Sequence, residues 1–132
     1  MMKWQFLIID SNEAARTRLV GHLKGSFPGC KLHHAATGEN AVKQLKEMEN
    51  LPVMVFFAHN TPEMNSISFL GHSRQLGTKT NLPTAIVAKG LGSDDVLSLY
   101  RLGASVVIER PTQRHEVREA VRDFARVTVR AA

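Results

Sequence analysis

The chain has 132 residues, 43% hydrophobic and 22% charged, and its 17 basic residues outnumber its 12 acidic ones for a net charge of +5. That length suits one domain, lets the chain bury enough surface to fold without cross-links, and the composition excludes a disordered or collagen-like chain. Its longest apolar stretch, Val53 to Ala58, is far too short to cross a bilayer, and a lone Cys30 excludes an internal disulfide and fits a reducing, cytoplasmic setting.

Short apolar runs alternate with helical periodicity from one end to the other. Trp4 to Ile9 is aromatic and β-branched enough for a buried strand, and it stops at Asp10. Because Asp10 ends the run early and no small-residue cleavage site follows, a secretory signal is not expected. Ser11 and Asn12 can cap a helix with Ala15, Leu19 and Leu23 on one face. Pro28 and Gly29 break the chain, and Lys31 to Ala35 reads as a weaker strand. Thr37 can cap a second helix that turns Ala41, Leu45 and Met48 inward. After Pro52, Val53 to Phe57 is the second strong strand.

Beyond Asn60 to Glu63 the spacing predicts a helix through Ile67, Leu70 and Leu76, closed by Gly77. Thr84 to Val87 is a fourth strand. Gly90 and Gly92 make a loop, and Ser93, Asp94 and Asp95 open a fourth helix with acidic residues at its positive end. Gly103 closes it, Ser105 to Ile108 is a fifth strand, and Thr112 is the expected cap of a last helix burying Val117, Ala120, Val121, Phe124 and Val127. Five strand–helix units with near-continuous apolar strands predict a parallel, doubly wound sheet covered on both faces. In such sheets ligands bind beyond the carboxyl ends of the strands. Those ends carry Asp10, Ala58, Ala88 and Arg110.

The chain resembles a response-regulator receiver domain of two-component systems over essentially its whole length. The resemblance rests on Phe6-Leu-Ile-Ile-Asp10, the Thr61-Pro62-Glu63-Met64 turn after the third strand, Gly103-Ala104-Ser105 before the fifth, and Arg110-Pro111 at its end. It implies a single receiver-like domain over residues 1–132, a flavodoxin-like three-layer α/β/α sandwich and strand order 2-1-3-4-5. In such domains a carboxylate after the third strand attacks a phosphoryl group. Two acidic residues after the first strand hold Mg²⁺, a hard cation that prefers oxygen ligands. A Lys after the fifth strand neutralises developing charge, and a hydroxyl after the fourth bonds the phosphoryl group.

Most of these positions are altered here. The acceptor position is Ala58, and a methyl group is no nucleophile. The acidic pair is reduced to Asp10 beside Ser11, the hydroxyl position is Ala88, and the Lys position is Arg110. The aromatic switch position is Val107. Asn60 stands where a backbone carbonyl would ligate the metal, but one carbonyl and one carboxylate make a poor Mg²⁺ site, leaving weak cation binding at Asp10 as the remaining metal option. The expectation is a degenerate, pseudo-receiver module with no cofactor and no enzymatic activity. Asp10 is left either to pair with Arg110 or to be solvated, and His59 to pack or lie on the surface facing away from the pocket.

Outside these positions no zinc signature, nucleophile elbow or phosphate-binding glycine loop occurs. In the last helix Arg114, Arg118, Arg122, Arg126 and Arg130 recur every four residues. This stripe reads either as a solvated face or as a docking surface for an acidic partner. Receiver-like domains use the fourth helix, fifth strand and fifth helix for dimerisation or output, so the resemblance implies a protein partner or a second copy on a face containing Val107, Arg114, Arg118 and Arg122. Two alternatives stand beside it. A small ligand or anion can occupy the space that Ala58 and Ala88 leave, or the basic helix can contact nucleic acid, although no aromatic residues interleave its arginines for base stacking.

Overall fold

The computed structural model describes residues 4–76 and 82–125. The elements alternate without exception: β1 (Gln5–Ile9), α1 (Glu13–Ser26), β2 (Lys31–Ala35), α2 (Gly38–Glu47), β3 (Met54–Ala58), α3 (Ser66–Leu76), β4 (Thr84–Ala88), α4 (Ser93–Arg101), β5 (Val106–Glu109) and α5 (Arg114–Phe124). The five strands are parallel in the order β2-β1-β3-β4-β5. This is the flavodoxin-like sandwich expected from the sequence. No helix among the described residues is long and apolar enough to cross a membrane.

Alternation along each strand splits the core into two layers. Leu7, Ile9, Val55, Phe57 and Ile86 face α2, α3 and α4, where they meet Ala41, Leu45, Phe69, Leu70 and Leu99. Phe6, Ile8, Met54, Phe56, Val87 and Ile108 face α1 and α5, where they meet Leu19, Leu23, Val117 and Val121. Aromatic contacts tie each layer: Phe57 stacks on Phe69 at 4.5 Å, and Phe6 meets Phe56 edge-on at 6.1 Å.

Several expected details move by a residue or change identity. β1 starts at Gln5, β3 and β4 run through Ala58 and Ala88, and β5 runs from Val106 to Glu109. Asn12 alone caps α1, its side chain accepting from the Ala15 amide at 2.9 Å. Thr112 does not cap α5; Gln113 holds the cap position and makes no side-chain bond there. Ile67 is 47% exposed, and Phe69 with Leu70 fills the place expected for it. Phe124 is 42% exposed, not buried. The roles expected of Leu76, Gly77, Arg126, Val127 and Arg130 fall outside the described residues or side chains. Gly38, the first residue of α2, is required by packing: a Cβ there would collide with Cβ of Met64 in the turn after β3.

Candidate functional site: the carboxyl ends of the strands

The residues just past the strands are still held by the sheet. The Asp10 amide donates to the Ala35 carbonyl at 3.1 Å, His59 to Val87 at 2.9 Å and Arg110 to Ala88 at 2.8 Å. Strand alternation then directs the side chains. Asp10, Ala58 and Arg110 continue the series that faces α1 and α5, whereas Ala88 and His59 continue the series that faces α2, α3 and α4.

Asp10 and Arg110 meet. Arg110 Nη2 donates to Asp10 Oδ2 at 2.6 Å, and the Asn12 amide donates to Asp10 Oδ1 at 2.9 Å. Arg16 Nη1 adds a bond to the Asp10 carbonyl at 3.2 Å. Asp10 is nearly buried, and a buried carboxylate needs compensation of this kind. The alternative of a merely solvated Asp10 is thereby set aside. Both carboxylate oxygens are committed, one to a cation, so the donor set does not fit Mg²⁺. Among the described residues no three of His, Cys, Asp and Glu gather where they could hold a metal.

Ala58 is buried at the end of β3, and its carbonyl accepts from Thr61 Oγ1 at 2.6 Å, which closes the turn toward α3. Asn60 and Ser11 are exposed, and Ala88 is buried. Asp10, Ser11, Ala58, Asn60, Ala88 and Arg110 all border one small cavity of about 210 Å³, so every altered strand-end position converges on a single place. His59 also borders it, yet its Nδ1 lies 2.6 Å from Ser66 Oγ, which ties the ring to the start of α3.

A second cavity of about 480 Å³ opens on the other side of Arg110, between α1 and the turn into α5. Arg18, which the sequence did not single out, borders it and donates from Nε to the Thr112 carbonyl at 2.8 Å. His22 Nε2 bonds the same carbonyl at 3.0 Å; a carbonyl only accepts, so that nitrogen carries the proton. The i, i+4 spacing of Arg18 and His22 was the available signal, because it puts both on one flank of α1.

The interaction face expected from the resemblance is divided. Val107 lies in the edge strand β5, its amide donating to the Tyr100 hydroxyl oxygen at 3.0 Å. Arg114 lies elsewhere, its guanidinium so close over Gly25 of α1 that a Cβ there would sit 2.9 Å from Nη2. At 100° per residue Arg114, Arg118 and Arg122 follow one flank of the buried Val117–Val121 strip, and Glu116 and Asp123 follow the other. The basic flank therefore borders α1, and the flank turned toward β5 is acidic. Arg118 is half-buried, and its Nε is buried without a hydrogen-bond partner, so the stripe is not a uniformly solvated face. At Cys30, which borders neither of these strand-end cavities, burial pushes the thiol pKa up, which disfavours the reactive thiolate.

No protein-family model matches the chain, and no curated protein matches it by sequence. Solved structures do match. A candidate response regulator from Chloroflexus aurantiacus is 21% identical with a TM-score of 0.82, over 92% of this chain and 97% of that one. The signal receiver domain of a DNA-binding response regulator from Colwellia psychrerythraea is 19% identical with a TM-score of 0.81 over the same shares. The receiver domain of a sensor histidine kinase from Pseudomonas aeruginosa, with magnesium coordinated in its active-site cleft, is 15% identical with a TM-score of 0.77, again over 92% and 97%. At these identities the likeness is one of fold: the chain has the receiver-domain fold.

Proposed function

We propose that this chain is a receiver-fold module of two-component signalling that accepts no phosphoryl group and acts through protein contacts, without enzymatic activity of its own. The observation that carries this reading is the pairing of Asp10 with Arg110 beside the methyl group of Ala58. Phosphoryl transfer needs an attacking oxygen, a metal and a positive charge free to meet the phosphoryl oxygens. Here the oxygen is replaced by carbon, and the carboxylate and the cation neutralise each other. A cytoplasmic location belongs to the same reading.

The contact face we favour is α4 with β5. Leu97 and Tyr100 of α4 are 52% and 43% exposed, and β5 is an open sheet edge. The acidic flank of α5, with Glu116 and Asp123, extends it. The occupant is a protein partner or a second copy of the chain, selecting one arrangement of this face. Nucleic acid fits less well, because Arg114 is laid across α1 and Arg118 is half-buried.

Incubation with acetyl phosphate and Mg²⁺, read by intact mass, is expected to leave the protein without a phosphoryl-sized increment. Any phosphoryl-sized increment, whether base-labile as an acyl phosphate or acid-labile as a phosphohistidine, overturns the reading. Sedimentation of wild type and Leu97→Arg separates the two occupants: a dimer lost in the variant identifies a second copy, and a monomer in both leaves a different protein as the partner.

A further inference from the structure

We infer that the cavity between α1 and the turn into α5 is a binding site for a small organic dianion, in its simplest form a phosphomonoester with an apolar body. This goes beyond the proposed signalling role, since it needs neither a partner protein nor phosphoryl transfer. The cavity, about 480 Å³, lies within the size range of small-molecule sites. Its charged lining is three cations, Arg18, Lys89 and Arg110, against one carboxylate, Asp10. That carboxylate is already answered by Arg110 at 2.6 Å and by the Asn12 amide. The lining thus carries an excess of positive charge, supplied by Arg18 of α1 and by Lys89 in the loop just past β4.

Arg18 is held in place for this role. Its Nε is fixed to the Thr112 carbonyl at 2.8 Å, which leaves the terminal nitrogens of the fork to act as donors. The rest of the lining is mostly apolar, with Ala14, Ala15, Leu19, Val87 and Pro111 beside the polar Asn12 and Thr112. Small side chains at 14 and 15 give the cavity its width. Two uncompensated cations in one lining suit a doubly charged head better than a single carboxylate, and the apolar part of the wall suits a ring or chain beside it.

Calorimetric titration at constant ionic strength tests this with phenyl phosphate, benzoate and inorganic phosphate as probes. Phenyl phosphate is expected to bind saturably, and benzoate and inorganic phosphate each more weakly. Arg18→Gln and Lys89→Gln are each expected to weaken phenyl phosphate roughly tenfold, the loss of one charge-assisted hydrogen bond. Ala14→Phe, at an exposed position where the fold tolerates bulk, is expected to abolish phenyl phosphate binding while inorganic phosphate still binds. Urea melts of each variant establish that it is folded. Absence of heat with phenyl phosphate, equal affinity for benzoate, or binding unchanged by all three substitutions overturns the inference. Because none of these readouts involves phosphoryl transfer or self-association, failure here leaves the proposed signalling role standing, and the reverse also holds.

Discussion

The interior of the sheet and the ends of its strands obey different rules, although one residue separates them. From Phe6 to Ile9 and from Met54 to Phe57 every side chain is apolar and at most 1% exposed. One step further along stand Asp10, Ala58, Ala88 and Arg110, where methyl groups and an internal ion pair replace the continuous apolar packing. The interior needs volume and apolar surface, which many sequences supply. In the proposed reading the strand ends would need particular atoms at particular places, and a methyl group at position 58 supplies packing without the attacking oxygen. The fold is what persists at 21% identity and below.

The largest effect that bears on this contrast is in the interior. Phe56 is 1% exposed and touches Phe6, so Phe56→Ala is expected to cost about 3–5 kcal/mol in urea unfolding. Ala88→Ser, which adds one oxygen beside a cavity, is expected to cost roughly 1 kcal/mol at most. Comparable losses at the two positions would break the distinction between packed interior and permissive end.

These two regions were also unequally legible. Apolar runs bounded by Pro, Gly and Asp announced five strands, and the periodicity between them announced helices, because burial imposes both patterns. Strand order came only from the resemblance, since periodicity says nothing about which strand neighbours which. At the site, the replacements at 58 and 88 were readable directly, whereas the Asp10–Arg110 bond was one of two open options, a matter of geometry across one hundred residues of chain. The apolar strip Val117–Val121 shows what α5 buries but not which helix lies beside it, so the arginines could not be assigned to the α1 side. Thr112 resembles a cap by residue type, but it is buried and its carbonyl serves Arg18 and His22. In α3 the expected phase turned Ile67 inward, and packing on Phe57 selects Phe69 instead.

An intermediate effect lies at the ion pair itself. Asp10→Ala strands a partly buried guanidinium and removes the acceptor of the Asn12 amide, at an expected cost of about 1–3 kcal/mol. Arg110→Met leaves the carboxylate without its cation. In the double variant neither charge is stranded, so its cost is expected to fall short of the sum of the singles by about 0.5–3 kcal/mol in a double-mutant cycle. Strict additivity would mean that the two side chains are held independently, and the strand ends would then be a loose polar rim instead of a locked one.

The smallest effect belongs to the sheet's outer edge, where a polar side chain is tolerated within a strand. His33 of β2 is half-buried, with Nε2 3.0 Å from Oε1 of Gln5 in β1. An amide oxygen accepts, so Nε2 donates and Nδ1 is the site that titrates. Burial, and then the charge of Lys31, pushes the His33 pKa below its ordinary value of 6.5. The unfolded chain therefore binds the proton more readily than the folded one. This contribution to stability is fully present above pH 6.5 and is lost as the pH falls through the folded-state value. Melts about one unit above and one unit below the ordinary histidine value should show wild type losing slightly more stability on acidification than His33→Gln. An identical slope in both proteins would mean that this edge position is indifferent to charge, and that the exacting part of the sheet stops short of β2.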